Sequence, residues 1–360
     1  MTNSKPAGEV PPRRNTRSAP AEPRIRVGSL AGFLAIVPHL LGFHPARSMV
    51  VVGLDARRGR VVLAFRYDLP DPPDAAAAAD IAEHAAAVLR KRRIKTAIAA
   101  GYGPGGLVTP VAESVGAALH EAGIGLRDLL RVEDGRYWSY VCQNPRCCPA
   151  EGVPFDGAAH PAAAALDAAG LPARPDRSAL AASLAPLDGP AAASMARATE
   201  RAARRADELA ASGGADDLRL VVDAGRAAVR SAIGTYRHGG AITDHDELAW
   251  LTVTLPDLRV RDDAWARMEP RFRAAHQRLW TDVLRAASQP YVPAPASLLA
   301  FTAWQSGEGA LANIAIERAL AADPGYSMAR LLGQALDAGL PPSAARLPMT
   351  PDEVAASYGC

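Results

Sequence analysis

The pattern of apolar residues changes once along this chain, and that change limits the folds it can adopt. Before Pro149, short runs rich in β-branched and apolar residues occur at 49–54, 61–69 and 96–100, with helical stretches between them. Runs of this kind are typical of strands. From His160 onward, every long segment has helical periodicity. The sequence therefore predicts a mixed α/β part followed by an all-α part.

Two hairpins and one crossover are predicted within the first part. The charged loop between the first two strands favours an antiparallel hairpin. Residues 126–132 and 137–142 form a second hairpin around Glu133-Asp134-Gly135, where glycine tolerates the positive φ of a tight turn. A helix over 107–122 links the strand at 96–100 to this second hairpin. We therefore expect a mixed sheet with hairpins and one strand-helix-strand crossover.

The length of 360 residues is sufficient for two domains. The first residues are rich in Pro, Ser, Ala and Arg and lack periodicity, which predicts a disordered tail over 1–26. A mixed α/β domain over 27–155 and a helical domain over 156–345 follow, with a C-terminal tail over 346–360. Pro, Gly and Ala replace the β-branched pattern between about Pro149 and Asp176, where we place the linker.

The end of the helical part carries a fragment of a repeat pattern. Its small and apolar residues match the second helix of a tetratricopeptide repeat at Ala312, Ile316, Ala319, Leu320 and Pro324. The first helix of such a repeat matches at Leu299, and the expected second copy is missing. We therefore predict a repeat-like helical domain that could dock a protein partner.

The composition argues against two classes of partner. A net charge of +2 lacks the basic excess of a chain that binds nucleic acid through its phosphates. The longest apolar run, residues 30–43, is interrupted by Pro38 and His39 and falls short of the ~20 residues that span a bilayer. The Arg13-Arg14 pair lacks the apolar region of an export signal. We therefore expect a cytoplasmic protein.

Three of the four cysteines lie in the pattern Cys142-x4-Cys147-Cys148. In a reducing cytosol, clustered thiols serve as metal ligands, reactive groups or buried packing. Three sulfurs at a strand end and its following turn could converge on a zinc ion, with His160 or His44 as the fourth ligand. The thiols could instead pack under the hairpin or form a local disulfide. A third interpretation is a redox or nucleophilic thiol at Cys147 or Cys148.

A glycine-rich run, Gly101-x-Gly103-x-Gly105-Gly106, follows a predicted strand and precedes a predicted helix. In that context, backbone amides and a helix N-terminus can cradle a phosphate of a cofactor. The run lacks a Gly-Lys-Ser/Thr ending, and its spacing departs from the dinucleotide fingerprint. Pro104 also removes one amide donor. The run is therefore interpreted either as a cofactor-binding loop or as a flexible turn between strand and helix.

The chain contains neither a Ser-His-Asp arrangement nor a His-Glu-x-x-His motif that would indicate a standard hydrolase. One hypothesis is a binding protein without classical catalytic machinery, whose α/β domain holds a ligand or metal. The alternative is an enzyme whose nucleophile is Cys147 or Cys148, beside the glycine run and His44. Cys360, the last residue, is expected to be a free thiol. The sequence does not decide whether the protein is an enzyme.

Three segments carry a family resemblance: Leu40-Leu-Gly-Phe-His-Pro45, the cysteine segment 136–152, and the Gly-Glu-Gly-Ala-Leu-Ala-Asn run from Gly307. With these segments, the chain resembles the actinobacterial family called Domain of Unknown Function 4192. The resemblance covers nearly everything after the N-terminal tail and implies a shared architecture. That family has no assigned activity, so the resemblance implies no reaction and no cofactor.

Overall fold

A computed structural model describes residues 28–55, 59–212, 218–344 and 350–358. Its first part contains helices α1 (Leu30–Leu41), α2 (Ala75–Lys91) and α3 (Gly105–Glu121). The strands are β1 (Ser48–Leu54), β2 (Val61–Asp68), β3 (Thr96–Tyr102), β4 (Gly125–Glu133), β5 (Arg136–Ser139) and β6 (Val153–Pro154). They form one six-stranded sheet in the order β2-β1-β3-β4-β5-β6. The predicted tail 1–26 and Cys360 lie outside the described residues.

Strand β1 is buried at all seven of its positions and pairs antiparallel with β2 on one side and β3 on the other. Met49 and Val51 enter the core beneath α2 and α3, whereas Val50 and Val52 enter the core on the α1 side. A strand covered on both faces requires an uninterrupted apolar run, which these residues supply. β3 and β4 run parallel, joined by α3, which confirms the mixed sheet with hairpins and one crossover.

The predicted linker is more structured than its composition indicates. β6 pairs with β5, and two short helices follow, α4 (Pro161–Ala168) and α5 (Arg177–Ala182). The sequence interpretation missed these elements because β6 has only two residues and the two helices are short and rich in alanine. Asp176 caps α5 by accepting a hydrogen bond from the backbone N–H of Ala179 at 2.7 Å.

The rest of the described chain is helical, as expected. Its helices are α6 (Gly189–Ser212), α7 (Arg219–Arg237), α8 (His245–Thr254), α9 (Leu258–Ala266), α10 (Arg273–Ala286), α11 (Pro293–Gln305), α12 (Gly309–Ala322), α13 (Ser327–Asp337) and α14 (Pro351–Ser357). α11 and α12 pack against each other, and small residues such as Ala303 and Ala312 are fully buried there. This agrees with the repeat-like pairing. None of the described helices combines the length and apolar character that a membrane span requires.

The described part of the predicted C-terminal tail contains α14, which packs on α9 through the buried Val354. Tyr358 donates a hydrogen bond to Asp262 at 2.6 Å. The α/β and helical parts also touch near β2, where His84 Nε2 donates to the backbone carbonyl of Asp337 at 2.9 Å. The main helical core lies between Leu184 and Leu332. The domain boundaries themselves stay a prediction.

One buried titratable group should make the helical core sensitive to acid. His276 on α10 is 2% exposed, and both of its ring nitrogens lack a partner among the described residues. Burial, with a contribution from nearby Arg237, lowers the pKa of His276 to about 4. The unfolded chain therefore binds this proton at higher pH than the folded chain. Stability is retained above pH ~6.5 and falls as the pH drops toward 4.

We expect His276→Leu to remove this pH dependence. Between pH 7 and 4.5, the wild-type chain should lose about 2 to 3 kcal/mol more unfolding free energy than the variant. Urea unfolding at the two pH values measures the difference. His120→Gln, at an exposed position of α3, is the control and should match the wild type. Parallel pH curves for wild type and His276→Leu would contradict the assignment.

Candidate metal centre

The hairpin of β4 and β5 carries the cysteine segment. Leu130 pairs with Ser139 and Glu133 pairs with Arg136, so the turn consists of Asp134 and Gly135. Their φ angles are 49° and 70°, the left-handed region that a tight turn of this kind requires. The hairpin predicted around these two residues is therefore confirmed.

The predicted strand over 137–142 is too long, because β5 ends at Ser139. The Ser139 hydroxyl accepts hydrogen bonds from the backbone N–H groups of Val141 at 3.1 Å and Cys142 at 2.9 Å, which turns the chain away from the sheet. The same hydroxyl donates to Asp128 at 2.6 Å. Asp128 is buried and also accepts from the backbone N–H of Leu129. Cys142 thus lies beyond the strand, held through Ser139 by a buried carboxylate.

The other two cysteines are positioned by a turn that begins at Asn144. The Asn144 carbonyl accepts hydrogen bonds from the backbone N–H groups of Cys147 at 3.2 Å and Cys148 at 2.8 Å. Its side-chain oxygen accepts from the backbone N–H of Arg146 at 3.0 Å. Asn is favoured in such turns because its side chain bonds the backbone two residues on. The turn folds the chain back toward Cys142.

The three sulfurs converge as a result. Cys142 Sγ and Cys147 Sγ are 3.2 Å apart, and the Sγ atoms of Cys142, Cys147 and Cys148 all lie within 4.8 Å of one another. All three are free thiols; Cys147 is exposed and the other two are half-buried. None of the three thiols is fully buried, and their packing under the hairpin stays a prediction. The chain leaves the sheet at Ser139 and carries them to the surface.

Trp138 holds the end of the cysteine loop, the segment 140–152 between β5 and β6. Its indole N–H donates to the carbonyl of Ala150 at 2.9 Å, and the Arg131 guanidinium lies 3.7 Å from the ring centroid. Arg136 donates to the carbonyl of Gly152 at 2.9 Å. Gly152 has φ 81°, and a Cβ there would lie 2.5 Å from the Trp138 ring. The loop is thus tied to the hairpin after the cysteines as well as before them.

The thiols share one favoured position for a negative charge. The pKa of Cys142 is lowered, because the backbone of Asn144 and then the thiols of Cys148 and Cys147 donate hydrogen bonds to its sulfur. Donating to Cys142 raises the pKa of Cys148 to about 12 and also raises the pKa of Cys147. The thiolate that forms first is therefore Cys142, and the other two thiols stabilise it.

The two histidines considered as ligands lie in other roles. His160 caps α4, where its Nδ1 accepts a hydrogen bond from the backbone N–H of Ala162 at 3.2 Å. His44 is exposed after α1, and its backbone N–H donates to the carbonyl of Arg174 at 2.9 Å. Neither histidine belongs to the cluster of ligand atoms within 4.8 Å. In the described chain, this cluster consists of three thiols.

The glycine run forms a short junction between a strand and a helix. Gly101 belongs to β3, Gly105 and Gly106 begin α3, and Gly103 turns the chain with φ 138°. A Cβ at Gly101 would lie 2.3 Å from a methyl group of Val108, so close packing accounts for that glycine. A cofactor-binding role for the four glycines stays a prediction.

The sequence profile of the family described as Domain of unknown function (DUF4192) matches residues 31–343. The chain belongs to this family. The match includes the sheet, the cysteine loop and most of the helical part. Neither the comparison with curated proteins nor the one with solved structures gave a match. A proposal about the function of this DUF4192 protein therefore rests on its own residues.

The clamp on the cysteine loop makes Gly152 sensitive to substitution. Gly152→Ala places a methyl group against Trp138 and also adopts a left-handed φ. Gly170 has a similar φ of 79° and nothing within 4 Å of its Cβ position, so Gly170→Ala is the matched control. We expect Gly170→Ala to cost about 1 kcal/mol and Gly152→Ala about 1 to 3 kcal/mol more. Urea unfolding measures both, and equal losses would show that Trp138 does not close the loop.

Proposed function

We propose that this protein binds a zinc-type divalent metal ion through Cys142, Cys147 and Cys148, as a binding protein without classical catalytic machinery. The observation that carries the proposal is the convergence of three thiol sulfurs within 4.8 Å on one exposed loop. Thiolates are the protein ligands that select soft and borderline metals such as zinc.

The sulfur positions fit the size of such an ion. Tetrahedral zinc with Zn–S distances of about 2.3 Å places two sulfurs about 3.8 Å apart. The 3.2 Å between Cys142 and Cys147 and the 4.8 Å limit for the group lie on either side of that value. Side-chain rotations that move the sulfurs by up to about 1 Å bring them to that spacing. The loop does not need to refold.

The described residues supply three thiol ligands, so one of the four positions around a tetrahedral ion has no ligand from them. Closed structural zinc sites use four protein ligands, whereas sites that exchange a ligand use three. A water molecule or a donor group from a partner would complete the coordination here. The proposal therefore includes an accessible position at the metal, consistent with the exposure of Cys147.

The pKa values of Cys147 and Cys148 support a nucleophilic role for these thiols less than they support a metal site. The reactive form is the thiolate, and the pKa values of both of these thiols are raised. The separation of 3.2 Å between the Cys142 and Cys147 sulfurs supports a different second candidate, a reversible disulfide. Its formation would transfer two electrons and two protons from the thiols to an oxidant such as hydrogen peroxide, which would be reduced to water.

Two wider proposals accompany the metal site. We propose a protein partner for the helical part, supported by the packed pair α11 and α12 and its likeness to repeat helices. We also retain the proposal of a cytoplasmic location, supported by the clustered free thiols.

Metal analysis of protein purified without chelator tests the site directly. We expect about one zinc ion per chain in the wild type and its loss in Cys147→Ser, because two thiolates hold zinc poorly. Arg146→Gln, at an exposed position of the same loop that supplies no ligand atom, is the control and should keep the metal. Retention of stoichiometric zinc in Cys147→Ser, or metal-free wild-type protein that also fails to take up added zinc, would refute the proposal.

Zinc affinity should rise steeply with pH. Because the pKa values of Cys147 and Cys148 are raised, these thiols carry protons at neutral pH and must release them to bind the ion. Release of at least two protons increases the apparent affinity about 100-fold or more per pH unit. Competition with a chromophoric chelator at pH 6.5, 7.0 and 7.5 measures this slope. An affinity independent of pH would show that the ion binds groups other than these thiols.

A further inference from the structure

A second site candidate lies at the opposite edge of the sheet. A cavity of about 670 Å³ separates β2 from the C-terminal helices, and every residue of β2 from Val61 to Asp68 lines it. Ala310 and Asn313 of α12 and Leu336 of α13 contribute to its other wall. The volume lies in the range of sites that bind small molecules, and such sites favour the junction between structural units.

The walls of this cavity combine apolar and polar surface in nearly equal parts. Side chains from α1, β2, α2 and the helical part line it, including Leu40, Phe43, Val62, Val88, Trp304 and Leu340. Val61 and Val62 are 37% and 43% exposed, although they belong to a strand. A surface of this kind binds an apolar body by removing it from water.

The charged groups differ in how fully they are paired. Arg177 forms two hydrogen bonds with the Glu317 carboxylate at 2.5 and 2.7 Å, and Arg66 pairs with Asp68. Arg92 is half-buried and lines the cavity, yet no carboxylate of the described chain pairs with it. Its guanidinium donates to a backbone carbonyl, at 3.2 Å. Arg92 is therefore the cation that can accept an anionic partner.

The hydroxyl of Tyr67 and the ring of His84, both on this side of the cavity, are already engaged. Tyr67 donates to Nδ1 of His84 at 2.6 Å, because His84 Nε2 must donate to the Asp337 carbonyl. Burial of the Tyr67 hydroxyl raises its pKa, and the charge of the exposed Asp337 carboxylate raises it further. Water and salt screen the electrostatic effect of an exposed carboxylate on a bound anion more than that of a half-buried guanidinium. Asp337 should therefore weaken anion binding only slightly.

We propose that this cavity binds a small organic anion with an apolar body, whose charged group pairs with Arg92 while its body lies along β2. The site is separate from the cysteine loop, which follows β5 near the other edge of the sheet. The inference therefore goes beyond the metal site and does not depend on it.

Two fluorescent probes separate the apolar and electrostatic contributions. 8-Anilinonaphthalene-1-sulfonate is an organic anion, and N-phenyl-1-naphthylamine has the same aromatic framework without the sulfonate. We expect the anion to bind the full-length protein saturably at one site. Arg92→Gln should weaken binding of the anion about tenfold and change binding of the neutral probe less than twofold, because it removes a charge-assisted contact.

Further variants keep the test decisive. Ala310→Phe should fill the cavity and weaken both probes at least tenfold, whereas Asp337→Asn should strengthen the anion about twofold. Arg90→Gln, an exposed position in the last turn of α2 that does not line the cavity, is the matched control for Arg92 and should leave both affinities unchanged. Thermal unfolding of each variant establishes that it is folded.

Three results would overturn the proposal. The first is the absence of saturable binding of the anionic probe to the folded wild type. The second is equal weakening of both probes by Arg92→Gln, which would assign the loss to packing. The third is unchanged binding of both probes to folded Ala310→Phe, which would place the probes elsewhere on the protein.

Discussion

The architecture depends on the burial of β1 on both faces. Five of its seven residues send apolar side chains into the two cores on either face, so helices must cover both sides of the sheet. α2 and α3 cover one face, and α1 packs in the core of the other. The centre of the sheet is thereby closed to solvent and ligands. Both candidate sites accordingly lie toward its edges, the cysteine loop after β5 and the cavity along β2.

Local signals made much of this fold predictable. The apolar run of β1 and the turn at Asp134-Gly135 are each encoded within a few residues, and both elements form where the sequence places them. The end of β5 was not predictable from periodicity, since alternation continues to Cys142. The strand ends earlier because the Ser139 hydroxyl competes for the backbone N–H groups that follow, and a buried Asp128 stabilises it in that role.

The spacing of the cysteines in the sequence predicted only in part that their sulfurs converge. Adjacent cysteines such as Cys147 and Cys148 ordinarily point apart, which argued against a common ion. The Asn144 carbonyl accepts hydrogen bonds from both of their N–H groups and so brings both sulfurs near Cys142. The Asn144-Pro145 pair is a turn signal that could have indicated this geometry. The cavity carried no such signal, because it is closed by contacts like that of His84 with Asp337, 253 residues apart.

Contacts within the protein hold the cysteine loop at both of its ends. Ser139 holds the loop where it leaves the sheet, and Trp138 and Arg136 hold it where it returns to β6. In small zinc domains, by contrast, the ion supplies most of the folding free energy because little else fixes the ligands. Here the loop is attached at both ends to a hairpin that belongs to a larger sheet with its own core. If the loop binds an ion as proposed, these attachments would allow the ion to be released while the surrounding fold persists.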